Sequence, residues 1–170
     1  MSICNTITTI TKGCDNNIGG IQTVYINDQS EVTSVTVDEP NWEITAITAG
    51  DPFIPFEFKR NTGNYVEDQA NDLINGSSFV TATITLMFHR REAAKSRSIK
   101  ILGEGQRDLA IIVLDANGKY WYFANAQVTA VAEGSGTAKA DGSKYSITIV
   151  AESENLAYEV DPTIIAGLLV

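Results

Sequence analysis

Histidine occurs once in this chain, cysteine twice and proline four times, and no run of about 18 apolar residues is present. Each scarcity excludes something. Without a long apolar run there is no candidate for a membrane-spanning helix. A Ser-His-Asp or Cys-His site would have to use His89, with Cys4 or Cys14 as the thiol. No orienting partner accompanies that histidine, which stands beside Arg90 and Arg91 where a strand pattern gives way to a helical one. Two cysteines and one histidine supply at most three soft metal ligands, and neither Cys-x-x-Cys nor His-x-x-x-His spacing occurs. The stretches "DNN" (Asp15–Asn17) and "DANG" (Asp115–Gly118) lack the acid that closes a calcium loop and read as turns. Glycines 103 and 105, and again 134 and 136, continue into neither G-x-G-x-x-G nor a Lys-Ser ending. The chain is therefore expected to be no enzyme and to hold no metal or cofactor. "MSICNTITTITKGC" lacks a basic start followed by a continuous apolar stretch, so no secretory signal is expected. Cys4 and Cys14 are expected to remain reduced in a protein made in the cytoplasm.

What is plentiful is sheet-forming material. Threonine, valine and isoleucine recur through 170 residues that are 44% hydrophobic and 19% charged, ordinary globular proportions for one domain. Residues 1–20 read as an N-terminal arm closed by the loop cluster "GCDNNIGG", and residues 21–170 as a single domain. "IQTVYIND", "VTSVTVD" and "WEITAIT" are strand-like, with Pro40 between the last two. "IPFEFKR" alternates Ile54, Phe56 and Phe58 against polar positions, and "NYVEDQA" is a weaker strand before the loop "NDLINGSS". The acidic pairs Glu67-Asp68 and Asp38-Glu39 are expected on solvated loops.

"FVTATITLMF" has the clearest pattern: Val80, Ala82, Ile84, Leu86 and Phe88 on one face, and Thr81, Thr83 and Thr85 on the other. "LAIIVLD" is almost continuously apolar, as for a central strand covered on both faces. Asn117-Gly118 then signals a hairpin into "KYWYFAN", and "AQVTAVAEG" with "KYSITIVAES" reads as a second hairpin. In "KYWYFAN", alternation places Tyr120 and Tyr122 opposite Trp121 and Phe123, so core packing is favoured over a stacking platform. The apolar end "TIIAGLLV" needs cover. The fold expected is mainly β, a β-sandwich or partial barrel of eight to ten strands, with one short flanking α-helix at about 89–102. On a helical wheel Ala93, Ala94, Ser98, Ile101 and Leu102 share one half and Ile99 falls opposite, so the helix is expected to end near Ser98.

Charge is uneven. The chain holds 12 basic and 21 acidic residues, net -9. Arg90, Arg91, Lys95, Arg97 and Lys100 fall within eleven positions with one acid, Glu92, a local +4 that leaves -13 for the remainder. An acidic surface repels nucleic-acid phosphates and does not bind them.

The order of these segments resembles the tail-tube proteins of tailed bacteriophages. The resemblance rests on "FEFKRNTGNYVEDQ", "NGSSFVTATITLMF", the short helix "HRREAAKSRS", "GQRDLAIIVLDANGKYWYF" and "DGSKYSITIVAES", together about Pro55 to Ser153. It implies a small β-sandwich that assembles into hexameric rings, each subunit lending strands to a closed inner barrel, with rings stacked into a tube for DNA ejection. The protein would then be a structural component of the virion tail. Its partners would be itself, other tail proteins, and genomic DNA passing without specific binding. On that reading Thr81, Thr83 and Thr85 face the lumen. Arg90, Arg91, Lys95, Arg97 and Lys100 form an inter-subunit contact set, or else a merely solvated helix face. "ITAGDPFIP" and "NTGNYVEDQANDLINGSS" are the candidate ring-stacking loops. A hub or connector ring of the same fold, and a monomeric carbohydrate-binding sandwich using Tyr120–Phe123, are the alternative readings.

Overall fold

In the computed structural model, which describes residues 6–170, ten strands and two helices follow one another along the chain. The strands are β1 (Ile21–Asp28), β2 (Val32–Asp38), β3 (Glu43–Ala49), β4 (Ile54–Glu57), β5 (Gly63–Asp72) and β6 (Ser77–His89), then β7 (Leu109–Asp115), β8 (Tyr120–Gly134), β9 (Lys144–Ser153) and β10 (Tyr158–Val160). The helices are α1 (Ala93–Gly103) and α2 (Pro162–Leu168). The protein is mainly β, a single sheet curled into a half-barrel, consistent with the sandwich or partial barrel expected. No helix among the described residues is long and apolar enough to cross a membrane.

The curl comes from β8. Its first half pairs with β7 and β10, and its second half with β9, so one 15-residue strand belongs to both walls. The two hairpin strands expected from the sequence are thus one continuous strand with a corner. At the corner the β7–β8 register slips, and Asn125 adopts φ 52°, a left-handed conformation that asparagine tolerates. The Asn125 N–H, displaced from the ladder, donates to Gln29 Oε1 at 3.0 Å. One wall runs β2-β3-β10-β8-β7-β1-β4, and the other runs β8-β9-β6-β5.

Central β7 is covered on both faces, as its apolar run requires. Leu109, Ile111 and Val113 enter a core shared with β1, β6, β9 and α1, while Ala110 and Ile112 enter a second core with β3, β10 and α2. The Asp115–Lys119 turn forms as Asn117-Gly118 predicts: Gly118 has φ 81°, and Asp115 Oδ1 accepts from Asn117 N (2.8 Å) and Lys119 N (2.9 Å).

Two expectations about helices need correction. β6 continues to His89, and Arg90, at φ 63°, breaks the chain away before α1 begins at Ala93, so 89–92 is not helical. Glu92 gives no side-chain cap; the buried Tyr145 hydroxyl substitutes, accepting from Glu92 N at 3.2 Å and lying 2.5 Å from Ser96 Oγ. The helix also continues through Ile99, because the side facing the sheet is Ile99 and Leu102, with half-buried Lys95 and Ser96 a turn earlier. Ala93, Ala94 and Ile101 face outward instead. The second correction is α2, which the sequence reading omitted. Asp161 caps it, accepting from Thr163 N at 2.8 Å, and Pro162 opens it, so that Ile165 and Leu168 cover the second core.

Gly63 sits where the two walls approach each other. A Cβ there would stand 2.9 Å from Ile21 Cδ1 and from Phe58 Cε2. Gly63→Val is expected to lower stability by about 1–3 kcal/mol through overpacking; chemical denaturation checks this, and an unchanged midpoint contradicts it.

Candidate functional site

The outer face of the wall β5-β6-β9-β8 is built from period-2 alternation. Val80, Ala82, Ile84, Leu86 and Phe88 are buried, which turns Thr81, Thr83 and Thr85 to the opposite, half-exposed side. Register then sets rows across the face. Asn64, Thr85, Thr148 and Ala130 lie side by side, followed by Val66, Thr83, Val150 and Gln127, then Asp68, Thr81 and Glu152. The middle rows carry no charge, and the row toward the β5–β6 turn is acidic.

That turn is the first of two distinct ends. Residues 72–76 form a tight tip in which Leu73 and Ile74 are 93% and 96% exposed. Asp72 holds it: its carboxylate accepts from Asn75 Nδ2 (2.6 Å), Ile74 N (2.9 Å) and Asn75 N (3.2 Å). These bonds to the charged form, first the Asn75 side chain and then the two backbone amides, hold the Asp72 carboxyl below its ordinary range. The stability contribution is therefore present above the unfolded pKa and is lost as pH falls through the folded one. The tip is a rigid apolar projection.

The other end, roughly 40 Å along β6, carries the basic residues. Arg90 pairs with Glu92 (3.2 Å), Arg91 with Glu133 on β8 (2.9 Å), and Lys95 donates to the carbonyls of His89 (2.9 Å) and Arg90 (3.3 Å). Arg91 and Lys95 thus fasten the helix start to the sheet, while the exposed Arg90 pairs only within the connecting segment. Arg97 and Lys100 are exposed and make no ion pair among the described residues. The basic segment is in this way a fastening at its start and an open cationic surface further on.

The wall has two edges without a strand partner among the described residues: the outer edge of β5, and the edge of β8 from Gln127 to Gly134 on the side away from β9. Neighbours in this wall are antiparallel throughout, so β5 and β8, its first and last strands, run in opposite directions. Glu67, expected on a solvated loop with Asp68, lies in β5 and turns inward, accepting from Ala157 N at 2.7 Å. Desolvation raises its pKa, against the lowering effect of that hydrogen bond. Both acids fall inside the strand that "NYVEDQA" indicated, and period-2 alternation sends them to opposite faces, Glu67 inward and Asp68 outward.

Elsewhere the chain offers little chemistry. His89 Nδ1 is buried without a hydrogen-bond partner, so no carboxylate orients it, and the described residues contain no group of three potential metal ligands. Cys14 is exposed on the arm, whereas Cys4 lies outside the described residues. None of Tyr120 to Phe123 is exposed: Phe123 and Trp121 pack on the first core and Tyr122 and Tyr120 on the second. Trp121 Nε1 also donates to Asp115 Oδ2 at 3.0 Å. No aromatic platform faces solvent on that strand.

No protein-family model matches the chain, and no curated protein matches it.

Proposed function

We propose that this protein is a structural subunit that closes into rings by edge-to-edge pairing of β5 with the β8 edge of the next copy, and that the rings stack into the tail tube of a bacteriophage. The observation that carries this reading is the pair of unpartnered edges, ten and eight residues long and opposite in direction, at the two sides of one threonine-faced wall. Pairing them continues the antiparallel alternation from subunit to subunit. It is a head-to-tail contact, which closes into a ring when the rotation permits. It also removes both edges, which otherwise invite uncontrolled association.

A ring closed in this way lines its channel with Thr81, Thr83 and Thr85, the cross-strand Thr148, and the acids Asp68 and Glu152. Such a wall is wetted by hydroxyls and repels phosphate, so DNA passes without adhering. The two ends of the wall then explain the uneven charge. Asp68, Asp72 and Glu152 lie toward the Leu73–Ile74 tip, and Arg97 and Lys100 lie at the α1 end. Stacking one ring on the next brings the acidic, apolar tip to the basic end, with charge setting register. A hub or connector ring would use the same ring contact and omit the stacking.

Reversal of the open cations tests the stacking contact. Arg97→Glu with Lys100→Glu is expected to weaken ring-on-ring association about tenfold, the scale of two exposed ion pairs, and to leave single rings intact. Sedimentation as a function of concentration measures it. Stacking that is undiminished in the variant removes α1 from the interface. Arg91 is unsuited to this test, because reversing it breaks the Glu133 pair inside the subunit.

A further inference from the structure

We propose that the N-terminal arm of one copy adds as an extra strand to the free edge of β2 in a second copy. The inference rests on the ring-forming reading above and names a contact that reading does not require. Residues 6–20 are exposed throughout and form no helix or strand. The segment "TITTIT" (Thr6–Thr11) consists entirely of β-branched residues, with Ile7 and Ile10 each 97% exposed. Such residues favour a pleated, half-buried setting. The base of the arm is fixed: Asn117 Oδ1 accepts from Ile18 N (2.8 Å), Asn117 Nδ2 donates to Asn17 (3.0 Å), and Gly20 O accepts from Ala116 N (3.0 Å). Residues 6–20 are thus launched from the β7–β8 turn and pair with no strand among the described residues.

The acceptor is identified by comparing the remaining edges. With β5 and β8 used in ring closure, β2 and β4 are left. β4 contains Pro55, which lacks an amide hydrogen, and the C-terminal segment bridges to Phe53 just before it. β2 carries no proline, glycine or charge from Val32 to Val37, and the irregularities in its ladder to β3, at Val32–Ser34 and Thr36–Val37, leave Ser34 to Thr36 in regular pairing. Its inward residues Val35 and Val37 are only half buried and line a cleft of about 440 Å³ with Ile44, Tyr122 and Tyr158. An added strand would cover that cleft with an isoleucine. Ile7 and Ile10 are three apart and so point to opposite faces of a strand, and only one of them can enter it.

The two surfaces lie on opposite sides of the subunit. Strands β7, β8, β10 and β3 separate β1, where the arm begins, from β2, a span of roughly 24 Å at the usual strand spacing. Donor and acceptor on opposite flanks is the layout for head-to-tail exchange between copies, and main-chain hydrogen bonding along the added strand supplies the affinity.

Amide hydrogen exchange on the assembled protein tests this, comparing the full chain with a variant lacking residues 1–16 and with Thr8→Pro. Neither change removes a described core residue, because residues 6–16 contribute nothing to either core. In assemblies of the full chain, amides of Val32–Asp38 are expected to exchange at least about tenfold more slowly than in either variant, and Ile7→Asp and Ile10→Asp are expected to differ in effect. Assemblies that form in all cases with equal exchange at β2 overturn the arm contact and leave the ring reading standing. Protection of β2 that persists in dissociated, dilute full chain places the arm on its own subunit and also overturns it. A full chain that never assembles overturns the ring reading itself.

Discussion

Aspartate at both Leu73 and Ile74 is expected to abolish tube formation and leave the subunit folded. The two side chains are 93% and 96% exposed at the β5–β6 tip and belong to neither core, so their replacement costs the isolated subunit little. In a stacked assembly they would be buried. Burying two aliphatic side chains of this size contributes about 4 kcal/mol, close to a thousandfold in the association constant of each contact. Desolvating two added carboxylates beside Asp72 makes the loss larger still. Light scattering separates the outcomes. Single rings at concentrations where the native protein forms long particles agree with the stacking role, and unaltered tubes contradict it.

Ile112→Ala is expected to have the largest effect on the subunit itself. Ile112 is fully buried in the middle of β7, the strand with a core on each face, and its side chain fills the second core beside Ile44, Val160 and Ile165. The variant loses the transfer energy and keeps a cavity among these buried neighbours, about 3–4 kcal/mol in all. Against a total stability of about 5–15 kcal/mol that is a large fraction. For a chain of this length it corresponds to a fall of roughly 10 °C in the unfolding midpoint. Denaturant titration with an unchanged slope and a midpoint lowered in proportion to a loss of about 3–4 kcal/mol is the expected result. A shift below about 1 kcal/mol would mean that β7 is not the doubly covered strand described here.

The contrast between these two residues shows which features the sequence announces and which it hides. A buried strand and a half-buried strand have simple signatures, so β7 and β6 were readable from their apolar run and their threonine alternation. The Asn117-Gly118 turn was equally plain. The corner in β8 was not. Nothing in "YFANAQVTA" marks a strand that leaves one wall for the other, because the left-handed turn at Asn125 is stabilised by the Gln29 side chain, 96 positions away. The helix α2 was readable in principle, since Asp161-Pro162 is a cap followed by a favoured first residue, but its seven residues are too few for periodicity to show. The start of α1 and the end near Ser98 drawn from the helical wheel were both misjudged for one reason, although the range to about 102 agrees with the end at Gly103. Its buried face is set by the sheet beneath it and its start by the Tyr145 hydroxyl, neither of which a helical wheel contains.

The candidate surfaces divide in the same way. The threonine face could be read from alternation alone, and the structure adds the rows that place Asp68 and Glu152 beside it. The five basic residues could be seen as a cluster, but only the ion pairs distinguish Arg90, Arg91 and Lys95, which have partners in the subunit, from Arg97 and Lys100, which face outward. The unpartnered edges on which the ring reading rests are a property of strand order. Sequence patterns show each strand's own faces and say nothing of which neighbours it lacks.

On the proposed reading, a single wall of each subunit continues into the next. Negative-stain electron microscopy of the purified protein, with its mass measured by light scattering, addresses it directly. Rings or stacked tubes with an open centre are expected. A clean monomer of 18.4 kDa at high protein concentration would contradict it.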